Sequence, residues 1–280
     1  MKKSLLSLSL LAGLLTISTA ACAGAQNDIP SCYAANNLNS LATPPGRELF
    51  VLIDQTTVLD DNLRQSVREN VSQFAKPGNA FVIADFSAFS QGRYMEVLNA
   101  GTLESPLAEK VRNAIGVNVL KNLDACIRDQ GNFAAKMMAS AINKSMQNSS
   151  DELAKSDVLS SIKDMSTRVR QSQAKEKIVF IVSDMLENSS ITSFYSARNV
   201  RSIDPAKELI AADKSGQIGD FGGARVFVLG AGVVPEAKGK KIYRDPKTMA
   251  SLKHFWNEYF IKSKAQLVEF GAPALLSPIK

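Results

Sequence analysis

The chain contains one histidine and three cysteines, and each scarcity removes a class of chemistry. Any Ser-His-Asp triad would have to use His254, which lies five positions past Met249 and off the apolar face of its predicted helix, where a solvated residue is expected. Gly-x-Ser-x-Gly, P-loop, His-Glu-x-x-His and Cys-x-x-Cys patterns are all missing, so the commonest hydrolase, nucleotide and zinc motifs are excluded. Beyond the N-terminus there is no apolar run long enough to cross a bilayer. The basic clusters Lys238-Gly239-Lys240-Lys241 and Lys262-Ser263-Lys264 are short and lack interleaved aromatics. They read as solvated loop and helix ends, and no nucleic-acid partner is expected.

The first residues read as a targeting segment: Lys2 and Lys3 precede an apolar stretch over residues 5–17, too short to span a bilayer. Two cleavage readings compete. Ala23-Gly24-Ala25 fits the small-x-small rule and would release residues 1–25 as a signal peptide, leaving a soluble periplasmic or otherwise exported chain from Gln26. Thr19-Ala20-Ala21-Cys22 partly matches a lipobox, and acylation of Cys22 would anchor the chain to a membrane as a lipoprotein. Removing Lys2 and Lys3, with no acid among residues 1–25, takes the net charge of +6 to +4. Either way Cys32 and Cys126 remain, an even count that suggests one disulfide in an exported protein, with two buried unpaired thiols as the alternative. The bond would tie an irregular N-terminal arm, residues 26–47, to a helical segment around Cys126.

Two strands that end in acid carry the most information: Leu49-Phe50-Val51-Leu52-Ile53-Asp54 followed by Gln55-Thr56-Thr57, and Ile178-Val179-Phe180-Ile181-Val182-Ser183-Asp184. A continuous apolar run that stops at a carboxylate is what a strand buried on both faces looks like when it delivers its last residue to the carboxyl edge of a parallel sheet. Open α/β sheets keep their sites there. Hydroxyls beside both acids add hard oxygen donors suited to Mg2+ or Mn2+, or to a polar partner group.

The rest of the chain alternates. A helix capped at Asp60 or Asp61 places Leu63, Val67, Val71 and Phe74 on one face and ends at Pro77-Gly78. Residues 80–87 form a second strand, Gly101 and Pro106 mark turns, and residues 106–147 are largely helical, punctuated by Gly116 and Gly131. A helix with Val158, Ile162, Met165 and Val169 on one face leads into the second acidic strand. Residues 224–230 supply another buried strand, Pro246 starts a helix with Met249, Leu252, Trp256 and Tyr259 on one face, and residues 266–270 close the sheet. The pattern predicts an α/β fold: a doubly wound, largely parallel sheet with helices on both faces and a helical insertion over about 106–147, within a domain spanning 48–275.

A strand ending in Asp-x-Thr, a helix, a strand ending in Phe-Ser, a helix, and a strand ending in Val-Ser-Asp together resemble the von Willebrand factor A family over about residues 48–270. That family binds a divalent cation through Asp-x-Ser-x-Ser, a threonine on a second loop and an aspartate on a third, and uses it to grip an acidic group on a protein partner. The resemblance implies that Asp54, Thr56 and Asp184 are metal ligands, with Ser183 and Asn188 beside them for partner contact. Val58 stands where the last hydroxyl should be, Thr57 has the wrong parity to replace it, and the second-loop threonine has no clear match, although Ser156 lies in a suitable place. The expectation is a non-catalytic, exported protein-binding domain working at the carboxyl edge, with Mg2+ or Mn2+ as the candidate ion. A metal-assisted phosphoryl hydrolase with Asp54 as nucleophile, and a metal-free assembly scaffold, are the alternatives. Ala134, Ala135, Met137, Met138, Ala139, Ala141, Ile142 and Met146 are expected to pack on the domain itself rather than on a partner.

Overall fold

The computed structural model describes residues 26–90, 93–150, 156–196, 199–234 and 245–280. The targeting segment with its cleavage sites and Cys22, and the basic cluster at 238–241, lie outside the described residues. Six strands form one sheet in the order β3-β2-β1-β4-β7-β8, with β1 (Arg47–Asp54), β2 (Asn79–Ser90), β3 (Arg93–Thr102), β4 (Glu176–Val182), β7 (Arg225–Leu229) and β8 (Gln266–Phe270). All neighbours run parallel except β2 and β3, which form an antiparallel hairpin at one edge. The α/β reading therefore stands, with one antiparallel edge strand added. The two acid-ended runs sit side by side in the middle of the sheet, Ile53 in register with Val182.

Alternation along β1 feeds two cores. Phe50 and Leu52 pack with α5 (Val158–Gln171) and α7 (Pro246–Lys262), whereas Leu49, Val51 and Ile53 pack with α2 (Asp61–Ser72) and the second half of α4 (Val117–Gln147). Burial of each such side chain contributes roughly 1.5–3 kcal/mol. Helix α2 is capped by Asp60, whose carboxylate accepts from the Leu63 N–H, and α7 by Asp245 with Pro246 in its first turn. On α7 the buried face is Leu252, Phe255, Trp256, Tyr259 and Phe260, with His254 exposed.

Three differences from the sequence reading have physical causes. Residues 93–102 form a strand, hidden in the sequence because the β2–β3 register slips at Ile83/Ala84 and an edge strand needs no long apolar run. Helix α4 passes straight through Gly131, where a Cβ would meet the Ala75 carbonyl oxygen at 3.5 Å, an ordinary van der Waals contact. Its second half buries Ala134, Met138, Ala141, Ile142 and Met146 in the core under α2, so these residues pack on the domain itself, as expected. A further helix, α6 (Pro205–Lys214), follows the cap Asp204.

The N-terminal arm is only partly irregular: it contains α1 (Cys32–Ala35) and a 3-10 turn over Asn39–Leu41. Cys32 and Cys126 are joined in a disulfide, within a small satellite core of Tyr33, Leu107, Leu123 and Ile127. Glu104 fastens the arm from the other side, accepting from the Ser31 hydroxyl at 2.6 Å and the Cys32 N–H at 2.7 Å. Beyond β8 the tail returns across the sheet's end to bury Ile279, whose N–H reaches Asn70 Oδ1 at 2.8 Å. Among the described residues no helix is long and apolar enough to cross a membrane.

Candidate functional site

Because β1 and β4 are parallel neighbours, their last residues emerge together at the carboxyl edge. Asp54 is 1 % exposed and Asp184 2 %. Asp54 works as a knot: its Oδ1 accepts from the Thr56 N–H at 2.9 Å and the Thr56 hydroxyl at 2.6 Å, and its Oδ2 accepts from the Ser183 hydroxyl at 2.8 Å and the Ser156 hydroxyl at 3.3 Å. Four donors fill the carboxylate's four lone-pair directions. One side chain thereby ties together the β1–α2 loop, the turn before α5 and the loop after β4.

Asp184 is held as closely. Its N–H donates to the Thr57 hydroxyl at 3.0 Å, its Oδ1 accepts from the Leu186 N–H at 2.8 Å, and its Oδ2 accepts from the phenol of Tyr195. Tyr195 lies on β5 (Tyr195–Ser196), which pairs with β6 (Asn199–Val200) in a short flap folded over this edge. Between the acids and the flap, Met185 adopts a left-handed backbone (φ 61°), costly for a side chain of its size. Its N–H donates to the Ser183 hydroxyl at 2.9 Å and its carbonyl accepts from the Trp256 indole N–H at 2.9 Å, which hold that conformation. Glu187, fully buried, accepts from the Leu159 N–H at 2.8 Å and so caps α5, whose own cap residue Asp157 gives it no side-chain bond. Asn188 and Ser156 exchange backbone hydrogen bonds at 2.9 and 3.3 Å.

Burial dominates the protonation of this cluster. It pushes the Asp54 carboxyl up against the pull of its four hydrogen bonds, and the Asp184 carboxyl well up, with the Asp54 charge adding to the effect. Burial also raises Glu187 to about 7, and it raises the Tyr195 phenol, with Asp184 as the second cause. On the neighbouring strand, burial raises Asp85 to about 6, and its Oδ2 accepts from Gln55 Nε2 at 2.9 Å.

The structure thus brings Asp54, Thr56, Ser183 and Asp184 together, with Asn188 joined to them through its backbone bridge to Ser156. The Ser156 hydroxyl lies on Asp54, and Thr57 faces inward as an acceptor while Val58 points outward, 41 % exposed. Sequence reasoning missed Tyr195, Glu187 and Asp85. Asp85 carried a signal, being an acid inside an otherwise apolar stretch; Glu187, followed by Asn188 and Ser189, and Tyr195 carried none.

The donors are all hard oxygens, the right chemistry for Mg2+ or Mn2+, but their arrangement does not fit either ion. Such an ion needs six oxygens in near-octahedral array, some of them waters. Here every carboxylate oxygen of the pair is already engaged within the protein, and the pair is closed off from solvent. Among the described residues no three His, Cys, Asp or Glu side chains converge as a metal-binding group.

No protein-family model matches the chain, and no characterised protein matches it in sequence. Among solved structures, an aerotolerance-related membrane protein from Bacteroides fragilis is similar with 9 % identity and a TM-score of 0.35, over 81 % of this chain and 92 % of that one. BatB from Bacteroides thetaiotaomicron is similar with 9 % identity and a TM-score of 0.35, over 80 % and 90 %. The PilB minor pilin from Streptococcus sanguinis has 11 % identity and a TM-score of 0.38, over 81 % of this chain and 57 % of that one. Likenesses this distant say nothing of activity, and the functional reading rests on the site's own geometry.

Proposed function

We propose that this chain is an exported, non-catalytic protein-binding domain, von Willebrand factor A-like in plan, that presents the carboxyl edge of its sheet to a polar partner. The observation that carries the proposal is the state of Asp54. A nucleophilic aspartate needs an oxygen open to its substrate, whereas both oxygens of Asp54 are filled by Thr56, Ser183 and Ser156 and the side chain is 1 % exposed. The same four bonds fix three loops in one shape, which suits recognition, because a preorganised surface loses little freedom on binding. Outside the knot, Val58 is exposed, and Thr56, Asn188 and Ile191 are half-buried, a rim of apolar contacts and hydrogen-bonding groups.

The experiment compares the wild type with Val58→Asp. Affinity capture from the native source, quantified by mass spectrometry, is expected to return a protein that the variant loses while its melting temperature stays unchanged. In parallel, the wild type is assayed against a generic phosphate monoester. Saturable turnover that disappears in Asp54→Asn would sink the binding-domain reading and restore the hydrolase.

A further inference from the structure

We propose that the phenol of Tyr195 takes, in this protein, the place that a divalent cation holds in the family the sequence resembles, bracing the Asp184 loop so that the carboxyl edge works without metal. This deepens the partner-binding reading of the same edge, and its test needs no partner, so the two ideas can fail separately.

A third-loop aspartate that served an ion would leave an oxygen facing the place where the ion sits. Here Asp184 Oδ1 accepts from the Leu186 N–H and Oδ2 from the phenol, so each oxygen already has a donor from the protein and the phenol sits on the one that the loop backbone does not use. The nearby hydroxyls are committed as well. Ser183 donates to Asp54 and accepts from the Met185 N–H, and Thr57 accepts from the Asp184 N–H. Position 58 offers a solvent-facing isopropyl group instead of an oxygen.

Packing, not an ion, delivers the phenol. Its neighbour Phe194 is fully buried edge-on against Phe255 at 5.0 Å and Trp256 at 6.5 Å, and the Phe194 N–H donates to the Glu187 carbonyl at 2.8 Å. On the far side of the flap Arg201 grips the Ser193 carbonyl at 2.9 Å and Glu208 at 2.6 Å. Tyr195 therefore enters the site from a flap anchored at both ends.

Calorimetric titration of the protein with Mg2+ and with Mn2+ tests this directly. The expected result is no saturable heat, with a melting temperature that neither millimolar ion nor EDTA moves. Saturable binding by the wild type that is lost in Asp184→Asn would overturn the proposal. Tyr195→Phe keeps the ring and removes only the hydroxyl. Amide exchange at Asp184 and Leu186 is expected to accelerate about tenfold in that variant while α2 is unchanged. Equal exchange in wild type and variant would show that the phenol braces nothing. Should the variant fail to fold, the wild-type titration still decides.

Discussion

The two edges of the sheet treat charge in opposite ways. At the amino edge Arg47, Glu176 and Arg225, which start β1, β4 and β7, form a solvent-lapped row. Glu176 pairs with Arg47 at 2.8 Å and with Arg225, all three side chains are about a third exposed, and the two guanidinium groups lie 5.1 and 5.6 Å over the rings of Phe74 and Phe227. At the carboxyl edge Asp54 and Asp184 have no described cationic partner and almost no solvent, and hydroxyl and amide donors replace both. Charge that stays wet can be paired cheaply and contributes little; charge that is buried must be neutralised by protons or dense hydrogen bonding, and its network is costly to break. The first arrangement tolerates change, and the second fixes a shape.

The largest expected effect sharpens this contrast from outside it. Replacing Cys32 and Cys126 by serine opens a loop of 94 residues and is expected to destabilise the fold by about 4 kcal/mol in urea titration, while leaving amide exchange around Asp54 in its native pattern. Next comes Asp54→Ala, which strands three hydroxyls and one N–H. A loss of about 3 kcal/mol is expected, with loop exchange accelerating in all three tied segments; a loss below about 1 kcal/mol would mean that the knot is decoration.

The pH dependence follows third. Glu187 has a folded pKa of about 7 against an ordinary 4.5, so between those values the folded state holds more protons than the unfolded one. The contribution is fully present below about pH 4.5 and is lost as pH rises toward 7, on the order of 3 kcal/mol, opposite in sign to acid unfolding. Asp85 acts in the same direction between 3.8 and about 6. Urea midpoints measured from pH 5 to 8 should show the fall, and Glu187→Gln should flatten it. The smallest effect belongs to the amino edge: Glu176→Gln is expected to cost less than about 1 kcal/mol, and that cost should shrink further in high salt. A cost equal to that of Asp54→Ala would erase the distinction between the edges.

Legibility followed the same division between local and distant causes. Strands β1 and β4 were readable because burial on both faces leaves an unbroken apolar run, and α2 and α7 because Asp60, Asp245 and Pro246 announce them. Helix α6 had an equally good signal in Asp204-Pro205, but its apolar face is narrow, with Ala212 its one buried residue. Strand β3 was hidden by its bulge and half-buried edge position. Asp54, Thr56, Ser183 and Asp184 could be placed together because strand order alone brings them to one edge. Tyr195 could not: its link to Asp184 depends on how the chain between them turns, with Phe194 seated against α7, and no spacing encodes that. The expectation of a bound ion rested on residue types, whereas the hydrogen bonds that occupy those residues depend on how the folded loops meet.

The Asp54–Ser183 hydrogen bond joins residues 129 positions apart, and β1 lies between β2 and β4 in the sheet. A nascent chain therefore makes its central strand early and waits through the whole of α4 and α5 for that strand's second neighbour. Contacts of such span are closed late and slowly. The surface proposed to meet a partner therefore cannot be complete until the chain through Asp184 has been made and β4 has joined β1.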